Sequence, residues 1–357
     1  MRLLILGGLG PYPERIDAFV ERGHQIWYAC TTYLPHVQEH IPATPAFGVY
    51  DRSPEAVVRL AEWIEAERID AIYSLLNAWD GSNWVTAGLL RHGCPAPVVR
   101  HYKEHYLTPT EDERVCLERS AGVIFVNDVA RDYFAGRYRL PARTALLDAD
   151  LLPRRYLAGR RQPKRSSADG RPHLLIAGSA MDDGGRYDYR ALMRELAGYG
   201  AHVHLYGLFR RMRQSDGWLL EDPEVEILYR DLAAGSEYLH VHPIVPPAWF
   251  VEEWSRYDAG LLHAPDPNDR FRTQNFPNRY GAYVAAGVPV ALRAGEMPAL
   301  QRHLEGLAAA VVHDDLADLV RRLPDPRAAA GALAARESVT FESTLPKLLT
   351  FIQSCLA

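Results

Sequence analysis

With 357 residues, the chain is longer than one hydrophobic core usually supports, so we expect two domains. Hydrophobic residues make up 48% of it and charged residues 24%, a balance typical of soluble globular proteins. The formal net charge of −5 gives no support for nucleic-acid binding through bulk electrostatics.

The cysteines and the N-terminal residues indicate the cellular compartment of the protein. The four cysteines lie far apart without a C-x-x-C pair, so we expect neither a disulfide framework nor a zinc site. A reducing cytoplasm is then the natural compartment. The apolar run Leu3–Leu6 is too short for a signal-peptide core or a membrane span. We therefore expect a soluble, cytoplasmic protein with no membrane span.

The N-terminal residues predict a β-α-β unit. Arg2–Leu6 is an apolar strand that ends in the glycine turn Gly7–Gly10, Glu14–Arg22 has helical spacing, and Gln25–Cys30 is a second strand. This order implies a parallel sheet with helices on its faces. The glycine turn lacks the G-x-G-x-x-G spacing, so a nicotinamide-dependent oxidoreductase is not expected.

The same alternation continues through the first half of the chain. Ser53-Pro54-Glu55 is a helix start, with a capping hydroxyl, a proline in the first turn and an acid at the positive helix end. Further strands are predicted at Ile69–Leu76, Pro97–Arg100, Gly122–Asn127 and Thr144–Leu147, and helices at Val85–Arg91, Glu111–Ser120 and Val129–Tyr138. The first half is thus predicted to hold a six- or seven-stranded sheet.

A second domain follows a break in the pattern. Residues 156–172 have no apolar periodicity and are dense in Arg, Ser, Gly and Pro, which predicts a linker. The pattern then restarts with strand His173–Ala177, glycine turn Gly178–Gly185, helix Tyr187–Tyr199 and strand His202–Tyr206. Later strands are predicted at Glu224–Leu228, Ala259–His263, Val288–Leu292 and Ala309–Val312, and helices at Pro247–Tyr257, Asn278–Ala286, Pro298–Gly306, Asp315–Leu323 and Leu345–Leu356.

The sequence accordingly predicts an α/β protein with two Rossmann-like parallel-sheet domains. We predict the first over residues 1–160 and the second over residues 171–340, with residues 341–357 crossing back onto the first. In open α/β sheets ligands bind outside the carboxyl ends of the strands. A cleft between the two domains is therefore the expected place for a small-molecule site.

Residues 271–289 carry chemistry suited to such a site. A predicted helix from Asn278 is closed by Gly287, and Arg270, Arg272 and Arg279 lie around its beginning. Backbone N–H groups at a helix start, the helix dipole and guanidinium groups together suit a phosphate. An ordinary loop-helix-strand joint with solvated arginines is the alternative.

The same stretch resembles a known family. FPNRYGAYVAAGVPV, beginning at Phe276, resembles the donor-contacting segment P-N-K-x-x-E-Y-x-A-A-G-x-P-V of retaining, nucleotide-sugar-dependent glycosyltransferases with the GT-B architecture. Looser matches are ERSAGVIFVN from Glu118, LDADLLPRRY from Leu147 and EWSRYDAGLL from Glu253. The resemblance extends over nearly the whole chain.

This resemblance implies a hexosyltransferase that moves a sugar from a nucleotide sugar to a small-molecule, saccharide or lipid-linked acceptor, with retention of configuration. The nucleotide sugar is then a substrate, and no resident cofactor or bound metal is expected. Where the family has its two donor glutamates, this sequence has Gln274 and Ala282. A catalytically silent binding or regulatory partner and a sugar-nucleotide epimerase on the same fold are therefore the alternatives.

The resemblance also implies ligands for the donor phosphates. Arg279 replaces the family's lysine with a cation better suited to bidentate contact. Arg186 lies on the turn after the first strand of the second domain, where the family has a basic residue near the diphosphate. For either arginine, a surface charge is the alternative. The backbone at Gly178-Ser179 could approach phosphate or sugar closely, because glycine has no Cβ.

Three further residues are candidates for contact with the donor. Gly8, in the first glycine turn, could approach phosphate or sugar in the same way as Gly178, or serve only as a tight turn. Gln274 and Asn278 belong to the donor-contacting segment itself.

Two residues are candidates for the catalytic step. His101 follows a predicted strand and resembles the family's histidine that is thought to touch the transferred sugar or the acceptor. It could donate to a sugar hydroxyl or act as a base near neutral pH. Asp80 is the alternative base for an inverting mechanism, or a turn residue. The first glycine turn contains no histidine, where natural-product inverting enzymes often have their base, so the retaining class is favoured.

Overall fold

The chain divides into two units. A computed structural model describes residues 1–7, 12, 14–29, 53–75, 82–102, 110–185, 187–212, 219–264 and 275–356. The first unit comprises Met1–Pro153, Gln274–Phe276 and Phe341–Ala357, and the second comprises Arg154–Thr273 and Pro277–Thr340.

A parallel sheet of six strands forms the centre of the first unit. Its strands are β1 (Arg2–Leu6), β2 (Gln25–Ala29), β3 (Ala71–Leu75), β4 (Val98–Tyr102), β5 (Gly122–Phe125) and β6 (Thr144–Leu146). Their order in the sheet is β2-β1-β3-β4-β5-β6, and each neighbouring pair is parallel. Strands β3 and β4 are buried along their whole length, as expected for a sheet covered on both faces. The predicted parallel sheet is confirmed.

The helices of the first unit follow the predicted start signals. They are α1 (Arg15–Val20), α2 (Pro54–Ala66), α3 (Ser82–His92), α4 (Glu111–Arg119), α5 (Asp128–Ala135) and the C-terminal helix α14 (Phe341–Ser354). At the start of α2, Oγ of Ser53 accepts a hydrogen bond from the N–H of Ala56 at 3.3 Å. Pro54 then occupies the first turn, where no helical N–H is needed.

Helix α14 completes the core of the first unit. Its side chains Phe341, Leu345, Leu348 and Ile352 recur at helical spacing and are buried in one cluster with Leu3 and other strand residues. The C-terminal helix therefore belongs to the unit that begins the chain. It starts at Phe341 rather than at Leu345, the first residue of the predicted helix.

The second unit is built on a seven-stranded sheet. Its strands are β7 (His173–Ala180), β8 (His202–Met212), β9 (Leu219–Glu221), β10 (Leu239–His242), β11 (Ala259–Leu261), β12 (Val290–Arg293) and β13 (Ala310–His313). The order β10-β8-β7-β11-β12-β13 is parallel throughout, and β9 pairs with β8 antiparallel. The carboxyl ends of the parallel strands therefore share one edge, where α/β sheets bind ligands.

Eight helices of the described part of the second unit surround this sheet. They are α6 (Ser166–Asp169), α7 (Arg190–Gly198), α8 (Pro223–Ala234), α9 (Phe250–Trp254), α10 (Asn278–Ala285), α11 (Pro298–Gly306), α12 (Leu316–Arg322) and α13 (Pro326–Ala334). Among the described residues of both units, none of the helices is long and apolar enough to cross a membrane.

One strand prediction in the second unit is wrong. Residues 224–228 alternate between acidic and apolar side chains, which mimics a strand, but they lie in α8. Asp222 caps this helix by accepting from the N–H of Glu224 at 2.9 Å, and Pro223 begins it. Val225 and Tyr229, four residues apart, are its buried face. The strand that extends the sheet is β10, which pairs with β8.

The predicted linker is also a part of the second unit. Its polar groups bind the unit's own backbone and side chains. The N–H of Gln162 donates to Ser255 Oγ at 2.9 Å, and Ser166 Oγ donates to Asp258 Oδ1 at 2.6 Å. Asp258 is buried, and its other oxygen accepts from the N–H of His173 at 2.8 Å. The segment is therefore not a free linker: its polar groups hydrogen-bond the second unit, and one of them pairs with a buried carboxylate.

Candidate functional site

The carboxyl end of β7 begins the candidate site. The strand ends in Ala177-Gly178-Ser179-Ala180, and Gly178 has a φ of 106°, in a region that residues with a Cβ rarely adopt. A Cβ placed on Gly178 would lie 3.6 Å from Nη1 of Arg279. The predicted glycine turn and the predicted phosphate-binding arginine are therefore neighbours.

Arg279 is held in place by one of its two terminal nitrogens. Its Nη1 donates to the carbonyl of Ala177 at 2.8 Å and to the hydroxyl of Tyr189 at 2.7 Å, and the guanidinium lies 5.6 Å from the ring centre of Tyr187. All its hydrogen bonds to described residues use Nη1, so Nη2 and Nε remain available to a ligand. Burial disfavours the charged form, but the hydroxyls of Tyr189, Tyr283 and Tyr187 outweigh it and raise the pKa of Arg279. The side chain is a permanent cation.

Tyr283 holds α10, the helix of Arg279, one turn further along. Its hydroxyl accepts a hydrogen bond from the N–H of Ala177 at 2.9 Å, and its ring packs against Gly260 of β11. A Cβ on Gly260 would overlap that ring, so the close approach of helix and strand needs glycine there. Burial raises the pKa of Tyr283, which keeps the hydroxyl neutral and able to bond.

The first turn of α10 presents backbone and amide groups beside Arg279. The residue that precedes the helix is Pro277, which provides no side-chain cap. Oδ1 of Asn278 is buried and makes no hydrogen bond to any residue that the structure describes. A helix start without a cap, next to a fixed guanidinium, is a favourable position for an anion.

A pocket of about 290 Å³ lies at the ends of β11, β12 and β13. Its walls include Leu262 and His263 after β11, Arg293 at the end of β12, and His313 at the end of β13. Leu192 of α7 closes another side. The pocket therefore occupies the edge of the sheet at which α/β proteins bind ligands.

His313 contributes a buried acceptor to this pocket. The residue is 3% exposed, and Nδ1 is 3.0 Å from the carbonyl oxygen of Asp315, so Nδ1 carries the proton and donates. Nε2 is buried and has no hydrogen-bond partner among the described residues. Burial lowers the pKa of His313, which keeps the ring neutral and leaves Nε2 as an acceptor.

Glu296 brings a carboxylate to the same pocket. The residue is 4% exposed, lines the pocket, and accepts a hydrogen bond at Oε2 from the N–H of Ala264 at 3.2 Å. A buried carboxylate that lines the same pocket as a neutral histidine can bind hydroxyl groups of a ligand.

A second pocket, of about 470 Å³, shares Leu192 and His263 with the first. The loop after β7 forms one side of it, and Asp188 holds this loop by accepting from the N–H of Gly184 at 3.1 Å and from Nε of Arg190 at 2.8 Å. Burial opposes ionisation of Asp188, yet the bonds from Arg190 and Gly184 lower the pKa of the carboxyl. The two adjoining pockets extend from this loop to the ends of β11 and β13.

Solved structures match this chain along its whole length. A glycosyltransferase from Rickettsia africae matches with a TM-score of 0.69 and 10% identity, over 99% of this chain and 98% of that one. Sucrose-phosphate synthase from Thermosynechococcus elongatus matches with a TM-score of 0.64 and 16% identity, over 99% of both chains. HepE of Anabaena, solved with UDP, matches with a TM-score of 0.63 and 12% identity, over 99% of this chain and all of that one. No protein-family model and no curated protein matches the sequence.

The chain has the GT-B fold. The predicted architecture of two Rossmann-like parallel-sheet domains is thereby confirmed. In this GT-B protein Gly178, Ser179, Asn278 and Arg279 all belong to the second unit, at or near the carboxyl edge of its sheet. The structure thus brings together four of the residues that the sequence singled out.

Four other predicted site residues lie outside the described residues. They are Gly8, Asp80, Arg186 and Gln274. Their roles stay predictions.

His101 lies in the first unit, within β4 rather than after it. It is 1% exposed, its Nδ1 is 2.7 Å from the hydroxyl of Tyr73, and the two rings stack with centroids 6.0 Å apart. Burial raises the pKa of Tyr73, so the hydroxyl keeps its proton and can donate to Nδ1. Arg279 and its neighbours in the second unit and His101 in the first are thus on different units of the GT-B fold.

Sequence reasoning missed several residues of the site. Tyr189, Tyr283, Glu296 and His313 were not singled out, although Tyr283 stands four residues after Arg279 and so shares its helix face. His313 directly follows the predicted strand Ala309–Val312, at a position where ligand-binding residues are expected. Glu296 had no comparable signal, because its burial depends on tertiary packing.

Proposed function

We propose that the chain is a glycosyltransferase that binds a nucleotide sugar at the carboxyl edge of the second unit's sheet. The observation that carries the proposal is the position of the Arg279 guanidinium against Ala177 and Gly178 at the end of β7, beside the uncapped start of α10. UDP and UDP-glucose in structures of HepE, which has the same fold, support a nucleotide sugar as the donor.

The diphosphate binds at Arg279 in this proposal. Nη2 and Nε of the guanidinium form a fork toward the phosphate, while Nη1 stays on Ala177 and Tyr189. The glycine at 178 lets the phosphate approach the backbone. When the sugar leaves, the diphosphate gains negative charge, and a cation that is already fixed stabilises this charge without reorganisation.

The nucleoside occupies the pocket at the ends of β11, β12 and β13. Nε2 of His313 accepts a hydrogen bond from the base or the ribose, and Glu296 accepts from the ribose hydroxyls. Ala282, at the family's position for a ribose-binding glutamate, is buried inside α10 and has no carboxylate. Glu296 therefore takes over the carboxylate's role from a different element.

Two residues of the first half of the chain are candidates for the catalytic step. With Tyr73 donating to Nδ1, His101 has its proton on Nε2, and it is the residue that the family resemblance assigns to the transferred sugar or the acceptor. Asp80 is the candidate base for an inverting route. We favour retention, with a small molecule, a saccharide or a lipid-linked glycan as acceptor, because the donor segment resembles retaining enzymes.

Calorimetric titration with UDP, GDP, TDP and ADP, and with their sugar conjugates, tests the proposal. We expect one nucleotide to bind in preference to the others, and Arg279→Ala to weaken it roughly tenfold to a hundredfold, as for a lost charge-assisted hydrogen bond. Arg279→Lys keeps the charge but not the two-pronged guanidinium, so its affinity for the nucleotide should lie between those of Arg279→Ala and the unsubstituted protein. Sugar transfer or slow hydrolysis of the preferred nucleotide sugar then establishes activity.

A matched control is Arg327→Ala, because Arg327 is exposed on α13 and lies on neither pocket. It should bind the nucleotide as the unsubstituted protein does. Binding of no nucleotide diphosphate, or equal binding by Arg279→Ala, contradicts the proposal.

A further inference from the structure

Five histidines lie on one face of the second unit's sheet. His173 begins β7, His202 and His204 lie on β8, and His240 and His242 lie on β10. Residues two apart on a strand point to the same face, and the register pairs His173 with His202 and His240 with His204. The five imidazoles therefore form a continuous group across three neighbouring strands.

Hydrogen bonds connect these imidazoles in two rows. In the first row, Nδ1 of His173 is 2.9 Å from Nε2 of His204, and Nδ1 of His204 is 2.9 Å from Nε2 of His242. In the second row, Nδ1 of His202 is 3.0 Å from Nε2 of His240. In all three bonds Nδ1 of one ring faces Nε2 of the next, so the rows run in one direction.

Both rows end at a single carboxylate. Oδ2 of Asp169 is 2.9 Å from Nε2 of His173 and 3.6 Å from Nε2 of His202. Oδ1 of Asp169 accepts from the N–H of Arg171 at 3.0 Å, and Gly170, with a φ of 73°, allows the chain to turn sharply there. The turn thus fixes Asp169 with one oxygen toward the two histidines.

We propose that Asp169, His173 and His202 bind a divalent first-row transition-metal ion, with Zn²⁺ the best fit. The three ligand atoms lie within 4.8 Å of one another. In a tetrahedral zinc site with bonds of about 2.0–2.1 Å, ligand atoms are roughly 3.3 Å apart, which the separations from Asp169 bracket. Two imidazoles and one carboxylate suit zinc, and water completes the fourth position.

The two ligand rings must turn before both bind one ion. They are stacked with centroids 4.5 Å apart and an angle of 13° between their planes, so their Nε2 lone pairs lie in nearly parallel planes. Rotation of the rings about their Cβ–Cγ bonds is the movement that brings the two lone pairs together beside Asp169.

The remaining histidines accept the hydrogen bonds that metal-binding histidines usually donate from their second ring nitrogen. A ligating imidazole almost always donates its other N–H to an acceptor, which fixes the tautomer. Here His204 accepts from Nδ1 of His173, and His240 accepts from Nδ1 of His202. With the ion bound, every proton in the rows lies on Nδ1, so both ligand Nε2 atoms offer lone pairs.

Without the ion, the direction of hydrogen-bond donation along each row is reversed. Each Nε2 then carries the proton, and His173 donates to Oδ2 of Asp169, while Nε2 of His202 lies 3.6 Å from the same oxygen. The change breaks no bond within the rows, because one proton leaves at the Asp169 end of each row while another enters at the outer end. The histidine rows therefore fit both states.

This site is separate from the donor site and does not depend on it. His173 and His202 are the first residues of their strands, whereas Gly178 lies about 16 Å further along β7, estimated from the rise per residue of a strand. A metal ion at the amino ends of β7 and β8 fastens the Asp169 turn to the sheet. Its role is structural.

Metal binding is measured on tag-free protein that has been treated with EDTA and then freed of the chelator. Zn²⁺ alone is added in competition with a chromophoric chelator, and Co²⁺ alone is added to record the absorption bands of a tetrahedral site. We expect one ion per chain and intense visible Co²⁺ bands. His202→Gln and Asp169→Asn should each weaken Zn²⁺ binding by about tenfold or more. His92→Gln, at an exposed position of the first unit, should bind as the unsubstituted protein does.

Thermal unfolding with and without Zn²⁺ gives a second readout. Zn²⁺ should raise the unfolding temperature of the unsubstituted protein and of His92→Gln, and should not raise that of Asp169→Asn. Asp169→Asn keeps an oxygen for the N–H of Arg171 and changes a side chain that is 39% exposed, so it should fold. The proposal is overturned if the unsubstituted protein does not bind Zn²⁺, or if Asp169→Asn and His202→Gln bind it as tightly as the unsubstituted protein does.

Discussion

Arg279 and Tyr283 bind the two backbone polar groups of a single residue, Ala177. Arg279 donates to its carbonyl at 2.8 Å and Tyr283 accepts from its N–H at 2.9 Å. The two side chains are four residues apart on α10 and so lie on one face of the helix. They fasten α10 to the end of β7, which sets the position of the guanidinium relative to Gly178. These two bonds thus join the helix start to the glycine turn.

Tyr283→Phe removes one of these two fastenings without touching the cation. The N–H of Ala177 is then buried without an acceptor, which should lower the free energy of unfolding by about 1–3 kcal/mol. Urea unfolding measures this, with Tyr199→Phe as control because Tyr199 is 48% exposed. Nucleotide affinity should fall less than in Arg279→Ala. If nucleotide affinity falls equally in Tyr283→Phe and Arg279→Ala, Arg279 acts only by holding the helix.

Gly178→Ala tests the backbone of the turn. The φ of 106° is strained for alanine, so we expect a loss of about 1–2 kcal/mol in unfolding free energy and weaker nucleotide binding. The new Cβ would be 3.6 Å from Arg279, an ordinary contact, so the effect arises from backbone strain rather than from a clash. Gly198→Ala is the control, because Gly198 is helical with open space around it. Equal stability of the two variants would contradict the assignment of strain at Gly178.

Local sequence signals predicted most of the fold because strands and helix starts depend on neighbouring residues. The Ser53-Pro54 start and the bounds of α11 were found in this way. The strand predicted at Glu224–Leu228 was wrong because its alternation of acidic and apolar residues outweighed the Asp222-Pro223 helix start. With that error β10 was missed, and the histidines at 240 and 242 were not placed on a strand.

The site was predictable only where its chemistry is local. Arg279 could be found because it lies at a helix start within a recognisable segment. Tyr189 could not, since its contact with Arg279 joins residues 90 positions apart in the sequence. The same holds for Asp169, His173 and His202, which come together through strand pairing and a glycine turn rather than through spacing.

Glu296→Gln tests whether this carboxylate binds the ribose. Glutamine keeps an acceptor for the N–H of Ala264, so the fold should be unchanged while the negative charge is lost. The unsubstituted protein should bind the preferred nucleotide diphosphate roughly ten- to a hundredfold more tightly than its 2′-deoxy analogue, as expected for one hydrogen bond to a charged group of about 1.5–3 kcal/mol. Glu296→Gln should lose most of this preference. Full preference in the variant would place the ribose elsewhere.

Acid should weaken the second unit through His242 when no metal is bound. Burial, together with His240, Arg165 and Arg256, lowers the pKa of His242 from 6.5 to about 4, while His204 bonds to it and Tyr206 stacks on it at 4.5 Å. Between these two pH values the unfolded chain takes up a proton that the folded chain does not, so the free energy of unfolding falls as the pH falls. His242→Gln should reduce this slope in urea unfolding with EDTA present, and His92→Gln should not. An unchanged slope in His242→Gln would mean that His242 is already protonated in the folded protein, or that it titrates alike in both states.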